Sequence, residues 1–198
     1  LFLDPVPTVP VEEIGRADIS TAMLISIHNG LGIKLLLDFG SEAQKESYLE
    51  QMAYGEMIGA FALTEPSAGS DIAALATVAT LHGDHYLLNG SKIWVGNGDV
   101  AGLFLIFART GQDITAFLVQ RDTPGLKIGY REKTLGLRGL ACHTLYLDDC
   151  AVHVANVLGE VGQGLASQGL QIARQAAEFD RLSLSAISLG GAEHALAA

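Results

Sequence analysis

The chain has 198 residues, of which 49% are hydrophobic and 17% are charged, so it carries enough apolar material for a packed core and is not intrinsically disordered. Its 12 Lys and Arg residues against 22 Asp and Glu residues give a net charge of −10, which argues against nucleic-acid binding through a basic face. A small anionic ligand can still bind to main-chain amides or to a single Arg. The charge therefore excludes classes of partner rather than classes of substrate.

The chain lacks the uninterrupted apolar run of roughly 18 residues that a membrane span needs, since the longest such run, residues 102–108, has the length of a strand. We therefore predict no membrane span. The sequence begins at Leu1 without a basic leader, and its last predicted helix reaches Ala198 without a cap, so we expect a central part of a longer chain. Cys142 and Cys150 form no C-x-x-C pair and are expected to be reduced thiols, although a disulfide between them stays open.

The first region, residues 1–57, is predicted to be a partial N-terminal helical domain. Residues 18–39 contain dense apolar side chains and no Pro, which predicts one helix, and Gly40 is expected to end it. Ser41 and Gln44 have the spacing of a capping box, in which each side chain satisfies a main-chain amide of the other. A second helix is therefore predicted to begin there.

The second region, residues 58–155, changes to short runs of β-favouring residues, with turn signals about every ten positions. No helix-length segment interrupts these runs, which disfavours a doubly wound α/β sheet. The pattern predicts an antiparallel β-barrel or sandwich, with Asn89 and Gly90 as one of its turns. The predicted strands lie at residues 77–81, 86–88, 92–95, 103–107, 115–119 and 144–147.

The third region, residues 156–198, returns to helix, with its expected start near Gly162. It is rich in Ala and Leu, and a helix with an apolar stripe must bury that stripe against another element. We assign it to the start of a C-terminal helical bundle. The predicted fold class is therefore α+β, with N-terminal helices, a middle antiparallel β-barrel or sandwich, and the start of a C-terminal bundle.

The densest cluster of unusual residues is the segment 61–71, which reads FALTEPSAGSD. A strand is predicted to end at Thr64, Pro66 fixes a turn, and the small residues after it leave main-chain amides unshielded. Such a loop can cradle an anion, and Ser70 adds a hydroxyl donor. The alternative is an ordinary turn in which Ser70 and Asp71 cap the following segment.

Trp94 is the only Trp of the chain and lies where a predicted strand reaches a turn. Its ring can form the wall of a site for a planar cofactor or fill the core of the β domain, and composition alone favours the core. Gly96 and Gly98 form no dinucleotide fingerprint, because no G-x-G-x-x-G follows and no helix begins there.

A short charged segment interrupts the Ala- and Leu-rich third region. It contains Glu178, Asp180 and Arg181. Charges on a helix usually form a solvated face. The apolar surroundings leave a second interpretation open, in which one of these side chains faces a cavity.

Four segments appear in a fixed order along the chain: TEPSAGSD at 64–71, NGSKIW at 89–94, GLRG at 136–139 and NVLG at 156–159. Together they resemble the acyl-CoA dehydrogenase family, whose signature is T-E-P-x-A-G-S-D. Residues 18–21 and 39–45 also look like the second half of the family's N-terminal helical domain. The resemblance covers nearly the whole chain in one register and implies a helical domain, a β-barrel and a C-terminal four-helix domain.

The resemblance implies an FAD site. Leu63 and Thr64 would offer main-chain N–H and hydroxyl groups to the pyrimidine edge of the flavin. Ser70 would meet the pyrophosphate and the incoming acyl-CoA. Glu178 and Arg181 would contact the substrate. The implied cofactor-binding residues are Phe61, Ala62, Leu63, Thr64, Gly69, Ser70, Trp94, Val95 and Gly96.

The implied reaction is flavin-dependent α,β-dehydrogenation of an acyl-CoA thioester to the 2,3-enoyl thioester. In this family a carboxylate removes the α-proton while a hydride leaves to FAD N5. The usual catalytic Glu lies further downstream than Ala198, and some members instead carry the base at the position that matches Asp180. Asp180 is therefore the candidate base, although it is one methylene shorter than Glu and a shift of about 1 Å can cost about 10²-fold in rate.

One departure from the family pattern keeps two other functions open. The family usually has Thr where Gly96 stands, and the Thr hydroxyl reaches flavin N5, whereas Gly96 offers only its amide. Gly96 motivates one alternative, an acyl-thioester enzyme that kept the fold but lost redox chemistry. The other alternative is a non-catalytic partner or binding subunit of the same fold.

The resemblance also implies partners and a compartment. The substrate would be a thioester of CoA or of acyl carrier protein, and the electron acceptor would be an electron-transfer flavoprotein. The expected assembly is a homodimer or homotetramer. The expected location is the bacterial cytoplasm, with the mitochondrial matrix as the alternative.

Overall fold

The computed structural model describes residues 8–159 and 168–197 of the chain. It begins with helices α1 (Thr8–Ala17), α2 (Ile19–Ser26), a π-helix (Ile27–Lys34), α3 (Leu35–Phe39) and α4 (Glu42–Ala53). Eight strands and the long helix α5 (Gln168–Ala197) follow. The expected start of the last helix near Gly162 lies outside the described residues.

The predicted helix over residues 18–39 is confirmed, but its middle is wound as a π-helix. Asp18 caps its N-terminus by accepting hydrogen bonds from the Thr21 amide at 2.7 Å and from the Thr21 hydroxyl at 2.6 Å. At its C-terminus Gly40 adopts an extended conformation rather than a left-handed one. Glycine is needed there because a Cβ would overlap the carbonyl oxygen of Leu36.

The capping box at the start of α4 is also confirmed. The Gln44 amide donates to Ser41 Oγ at 3.2 Å, and the Ser41 amide donates to Gln44 Oε1 at 3.0 Å. The Gln44 side chain goes further and donates to the carbonyl oxygens of Ala155 and Val157 at 2.7 and 2.8 Å. A single residue therefore begins the helix and fastens it to the end of the β domain.

By length and composition alone, the segment Ile19–Phe39 could cross a membrane, since it has 21 residues and a mean hydropathy of 1.3. Polar residues such as His28 and Asn29 interrupt its apolar run, so the segment does not stand out as a continuous apolar stretch. Half of the segment is buried inside the fold, where it packs against the first strand of the sheet and against α5. Its apolar side chains thus form part of the protein core.

A buried histidine joins the π-helix to the sheet. His28 Nδ1 accepts a hydrogen bond from the Gly59 amide at 3.0 Å, so Nε2 carries the proton and donates to the carbonyl oxygen of Met52 at 3.0 Å. Burial lowers the pKa of the His28 ring, against the opposing effect of the Met52 carbonyl. The fold therefore holds this imidazole neutral.

We expect the free energy of unfolding to fall as the pH drops below 6.5, the ordinary pKa of His28. The unfolded chain then binds a proton that the folded chain resists, and protonation would also break the bond from Gly59. His28→Gln should lower stability at pH 7.5 by about 1–2 kcal/mol and weaken this acid dependence. Urea unfolding from pH 5 to 8 measures both, with the exposed His82→Gln as control. Equal acid slopes in the wild type and His28→Gln would contradict the assignment.

The described strands form one eight-stranded sheet. Its order is β6-β7-β3-β2-β4-β5-β8, with β1 attached to β4. Most pairs are antiparallel as predicted, but β1 and β2 each run parallel to β4. The strands are β1 (Ile58–Ala62), β2 (Val78–His82), β3 (His85–Val95), β4 (Ala101–Thr110), β5 (Asp113–Gln120), β6 (Leu126–Arg131), β7 (His143–His153) and β8 (Val157–Leu158).

Two predictions for the β region were wrong. Residues 86–88 and 92–95 belong to one strand, β3, and Asn89-Gly90 is an irregularity within it rather than a turn. Gly90 has φ +150°, and a Cβ there would lie 2.8 Å from Thr77 Cα, so only glycine lets the strand pass so close. The strand β6 was missed because its sequence, LKIGYR, mixes charged and apolar residues and is only partly buried.

Strand β4 separates two apolar cores. Phe104 and Ile106 face a core inside the sheet, whereas Leu105 and Phe107 face a second core beneath the helices. Successive side chains of a strand point to opposite faces, so a strand buried on both faces reads as a continuous apolar run. The predicted strand at residues 103–107 lies within β4 and is buried on both faces. The helices cover one of these faces.

Helix α5 packs against α1 through glycines. A Cβ on Gly15 would lie 2.9 Å from the carbonyl oxygen of Ile187, and a Cβ on Gly190 would overlap the carbonyl oxygen of Glu12. Arg16 and Glu193 form an ion pair across the same crossing. The two helices therefore touch along their main chains.

Gly190→Ala should destabilise the protein by about 1–3 kcal/mol because it forces the two helices apart. The adjacent Gly191→Ala is the matched control. It offers the same gain in helix propensity, and its Cβ would meet side-chain atoms of Ile19, Cδ1 at 2.6 Å and Cγ1 at 3.1 Å, rather than the main chain of another helix. Thermal unfolding should show a lower Tm for Gly190→Ala than for Gly191→Ala. Equal values would contradict the close crossing.

Both cysteines are free thiols. Cys142 is partly buried and Cys150 is buried, and burial raises the pKa of the Cys150 thiol to about 11. Protonated, buried thiols of this kind are unreactive. The prediction of reduced cysteines is confirmed.

Candidate functional site

The segment that follows β1 is an ordered turn with an open far end. Its main chain closes on itself, because the Glu65 amide donates to the Ala68 carbonyl at 2.9 Å and the Ala68 amide donates back at 3.2 Å. Asp71 Oδ1 then accepts from the Ala73 amide at 3.1 Å and caps a short helical turn. Asp71 is therefore a cap, as the ordinary-turn interpretation predicted, while Gly69 and Ser70 are exposed. A Cβ on Gly69 would have no atom within 4 Å.

A buried ion pair fastens this turn to β3. Lys92 Nζ donates to Glu65 Oε1 at 2.6 Å and to the Leu63 carbonyl at 3.1 Å. The side chains of Lys92 and Glu65 are 0% and 2% exposed. The Glu65 carboxylate also accepts from the amides of Ala76 and Thr77, at 2.6 and 3.0 Å. Glu65 of the signature therefore connects three segments: its own turn, strand β3, and residues 76–77.

The fold shifts the pKa of both partners. Burial acts to raise the pKa of Glu65, but the bonds from Lys92, Thr77 and Ala76 outweigh it and lower the pKa. Burial lowers the pKa of Lys92 to about 8, against the opposing effect of Glu65. At neutral pH both side chains are charged.

Trp94 lies beside this turn and points outward. The Ile93 amide donates to the Thr64 carbonyl at 2.9 Å, which brings the end of β3 against the loop. Trp94 is 52% exposed, so the interpretation that its ring fills the core is wrong. Its main chain has φ +58°, which is rare for a bulky residue and indicates local strain. Strained residues of this kind concentrate at functional sites.

The two residues after Trp94 face inward. The side chain of Val95 is buried in the sheet core, so only its main chain can meet a ligand. A Cβ on Gly96 would lie 2.6 Å from Ile27 Cδ1 and 3.5 Å from the Leu140 methyl groups. Ile27 therefore occupies the space that a side chain at position 96 would need. We call Gly96 and Ile27 a matched pair because the large residue fits only beside the small one.

The charged segment of α5 lies against the π-helix and α3. The Phe179 ring lies under Lys34 Nζ at 5.3 Å, and Gln175 donates to Asp38 at 2.5 Å. Glu178 and Arg181 are exposed, whereas Asp180 is partly buried. Within residues 8–159 and 168–197, no hydrogen bond or ion pair joins these three to the loop after β1.

Burial raises the pKa of the Asp180 carboxyl, and the neighbouring Arg181 opposes the shift. Its carboxylate makes no hydrogen bond or ion pair within the described part of the chain. A desolvated carboxylate without such a partner is costly to keep charged and is a stronger base than an exposed one. Asp180 thus has the electrostatics of a proton acceptor.

Sequence reasoning missed the Glu65–Lys92 pair and Asn97. Asn97 is buried with φ +62°, and its Nδ2 donates to the carbonyl oxygens of Leu24 and Gly59, both at 3.2 Å. It fixes the turn after Trp94 to α2 and to β1. The available signal was Lys92 itself, a charged residue at a buried position of an alternating strand.

Comparison with known proteins agrees with this geometry. The chain matches the acyl-CoA dehydrogenase N-terminal domain over residues 8–56 and the acyl-CoA dehydrogenase middle domain over residues 60–150. It is 40% identical over 192 residues to the short-chain specific acyl-CoA dehydrogenase of Clostridium acetobutylicum, which covers 94% of this chain and 49% of that protein. The chain belongs to the acyl-CoA dehydrogenase family.

Solved structures agree with the fold. Butyryl-CoA dehydrogenase from Megasphaera elsdenii superposes with a TM-score of 0.89 at 37% identity, over 94% of this chain and 49% of that one. Acyl-CoA dehydrogenase complexed with FAD from Bacillus anthracis gives 0.86 at 36% identity, over 92% and 31%. The predicted fold class is confirmed, and the chain spans about half the length of the curated relatives that it matches.

Proposed function

We propose that the protein binds FAD along the loop after β1 and catalyses α,β-dehydrogenation of an acyl thioester. The observation that carries the proposal is Trp94, whose large ring is exposed on a strained main chain beside the signature loop. An exposed aromatic face is suited to a planar ring, and Trp94 belongs to neither apolar core of the described residues.

The residues present fit this cofactor. Leu63 and Thr64 would meet the flavin through their main chains and the Thr64 hydroxyl, and Phe61 and Ala62 would lie below them. Gly69 and Ser70 stay open for a diphosphate, since Gly69 has free space around it and Ser70 is exposed. When bound, FAD supplies the acceptor for the hydride that leaves the substrate Cβ.

The chain itself would supply the base and the substrate contacts. We propose that the Asp180 carboxylate takes the α-proton of the thioester, because burial raises the pKa of this carboxyl and so makes it a stronger base. Arg181 and Glu178 are exposed next to it and would contact the carrier part of the substrate. The matched pair of Gly96 and Ile27 leaves only the Gly96 amide for the cofactor.

The remaining proposals concern the whole protein. The substrate is a thioester of CoA or of acyl carrier protein, and an electron-transfer flavoprotein accepts the electrons. The protein assembles as a homodimer or homotetramer in the bacterial cytoplasm or the mitochondrial matrix. Support for them comes from membership of the family.

One experiment tests the reaction. The natural full-length protein is purified, its visible spectrum recorded, and butyryl-CoA or butyryl-acyl carrier protein added without oxygen. Bleaching of a flavin band is the expected result, and the carrier that bleaches it is the substrate carrier. A flavin band that no thioester bleaches favours the non-catalytic partner subunit. A colourless protein that changes the thioester favours a non-redox enzyme, which the Gly96–Ile27 pair would suit.

A further inference from the structure

We propose that Lys92 is a positioning residue for the cofactor: its ammonium group holds the Leu63 carbonyl in place and so aims the main chain at Leu63 and Thr64 toward the flavin. This role rests on the proposed function and adds to it a residue that does not itself contact the ligand.

The bonds around Lys92 act on one short stretch of main chain. Nζ reaches the Leu63 carbonyl at 3.1 Å, and the next residue of β3, Ile93, donates its amide to the Thr64 carbonyl at 2.9 Å. Two successive peptide groups of the loop are thus held by two successive residues of one strand. Lys92 is fully buried, so water cannot replace its bond to Leu63.

Glu65, the partner of Lys92 in the ion pair, has a different role. The Glu65 carboxylate keeps two main-chain donors of its own, from Ala76 and Thr77, whether or not Lys92 is present. Removal of the ammonium group therefore leaves the segment around residues 76–77 fastened to the turn. The Leu63 carbonyl, by contrast, loses its side-chain donor, and among the hydrogen bonds of the described residues the bond from Ile93 to Thr64 is the one that still joins this stretch to β3.

A small displacement of this stretch matters for binding. A misplacement of about 1 Å in a positioned group can cost about 10²-fold in the step it serves. The Leu63 and Thr64 main chain carries the proposed contacts to the flavin edge, so loss of Lys92 should appear as weaker FAD binding. It should also appear as a visible spectrum that moves toward that of free FAD.

The test uses the natural full-length protein with Lys92→Met, which keeps the length of the side chain and removes its charge and donors. Leu145→Ala is the matched control, since Leu145 is fully buried and is the cross-strand partner of Lys92 on β7. Lys127→Met, at an exposed lysine, controls for charge. FAD is titrated into each apoprotein at a temperature where circular dichroism shows the protein to be folded.

We expect Lys92→Met to raise the Kd for FAD by about 10²-fold and to shift the flavin band, while Leu145→Ala and Lys127→Met stay within about threefold of the wild type. If Lys92→Met does not fold, the double variant Glu65→Gln/Lys92→Met, which leaves no lone buried charge, should show the same loss. FAD binding by the Lys92 variants at wild-type strength would overturn the positioning role alone, as would an equal loss in Leu145→Ala. A wild-type protein that never binds FAD would overturn the proposed function and this role with it.

Discussion

Asp180→Asn is expected to lower the dehydrogenation rate by about 10²- to 10⁴-fold, the usual contribution of a general base. The substitution keeps the shape of the side chain and removes its ability to take a proton. FAD content and the flavin spectrum should not change. Stopped-flow bleaching with an acyl-CoA measures the rate, and Glu46→Gln, at an exposed carboxylate of α4, is the control.

Asp180→Asn should lower the rate but should not lower the free energy of unfolding. Because burial raises the pKa of Asp180, the folded protein binds a proton more readily than the unfolded chain, and the free energy of unfolding falls as the pH rises through that range. At pH 7 the charge of Asp180 therefore destabilises the fold. Asp180→Asn should unfold at the same or a higher Tm than the wild type, which separates loss of a base from loss of structure.

The pH profile completes the test. The wild-type rate should fall as the pH drops through the raised pKa of Asp180, since only the carboxylate accepts the proton. Asp180→Glu should keep much of the rate and this acid limb, whereas the residual rate of Asp180→Asn should lack it. A rate for Asp180→Asn within about threefold of the wild type would place the base on another residue of the full-length protein.

Local signals in the sequence predicted local structure well. Ser41 and Gln44 fixed the start of a helix, because a capping box needs only residues three positions apart. The apolar run at residues 103–107 indicated the strand β4. Its parallel pairing with β1 was not predictable, because that register depends on contacts between residues more than 40 positions apart.

Trp94 shows where composition misleads. A lone aromatic residue in an apolar strand usually belongs to the core. Here the bend that follows Trp94, with Asn97 also at positive φ, turns the ring outward, and nothing in the local sequence reports that strain. The exposure of Trp94 therefore contradicts the argument from composition.

The candidate site also contains one feature that the sequence revealed and one that it did not. The signature at residues 64–71 singled out the loop in the sequence, because its small residues and Pro form an unusual local pattern. The reason for its Glu remained hidden, since Glu65 meets Lys92 across 27 positions of chain. Lys92 alone gave a local signal, as a charge at a buried position of an alternating strand, but no local pattern identifies Glu65 as its partner.

Lys92→Met is expected to destabilise the protein by about 3–5 kcal/mol, because it leaves the Glu65 carboxylate charged and buried without its partner. Glu65→Gln/Lys92→Met should recover much of that loss, since no lone charge remains. Urea unfolding at pH 7 of the wild type, Lys92→Met, Glu65→Gln and the double variant closes a double-mutant cycle. A loss for Lys92→Met below about 1 kcal/mol, the typical cost at an exposed pair, would contradict a buried ion pair.

The pH dependence of the free energy of unfolding provides a second test of the buried ion pair. The pKa of Lys92 is lowered from 10.5 to about 8, so between these values Lys92 contributes a rise of the free energy of unfolding with pH, because the unfolded chain keeps a proton that the folded chain has lost. The buried Cys150, whose pKa is raised from 9.0 to about 11, opposes this rise above pH 9, so the rise is clearest between pH 8 and pH 9. The pKa of Glu65 is lowered from 4.5, so its contribution is present above that pH and is lost as the pH falls further. Lys92→Met should remove the alkaline rise, because the unfolded variant has no extra proton to bind. The exposed Lys127→Met should keep that rise, and a rise that persists in Lys92→Met would assign it to another group.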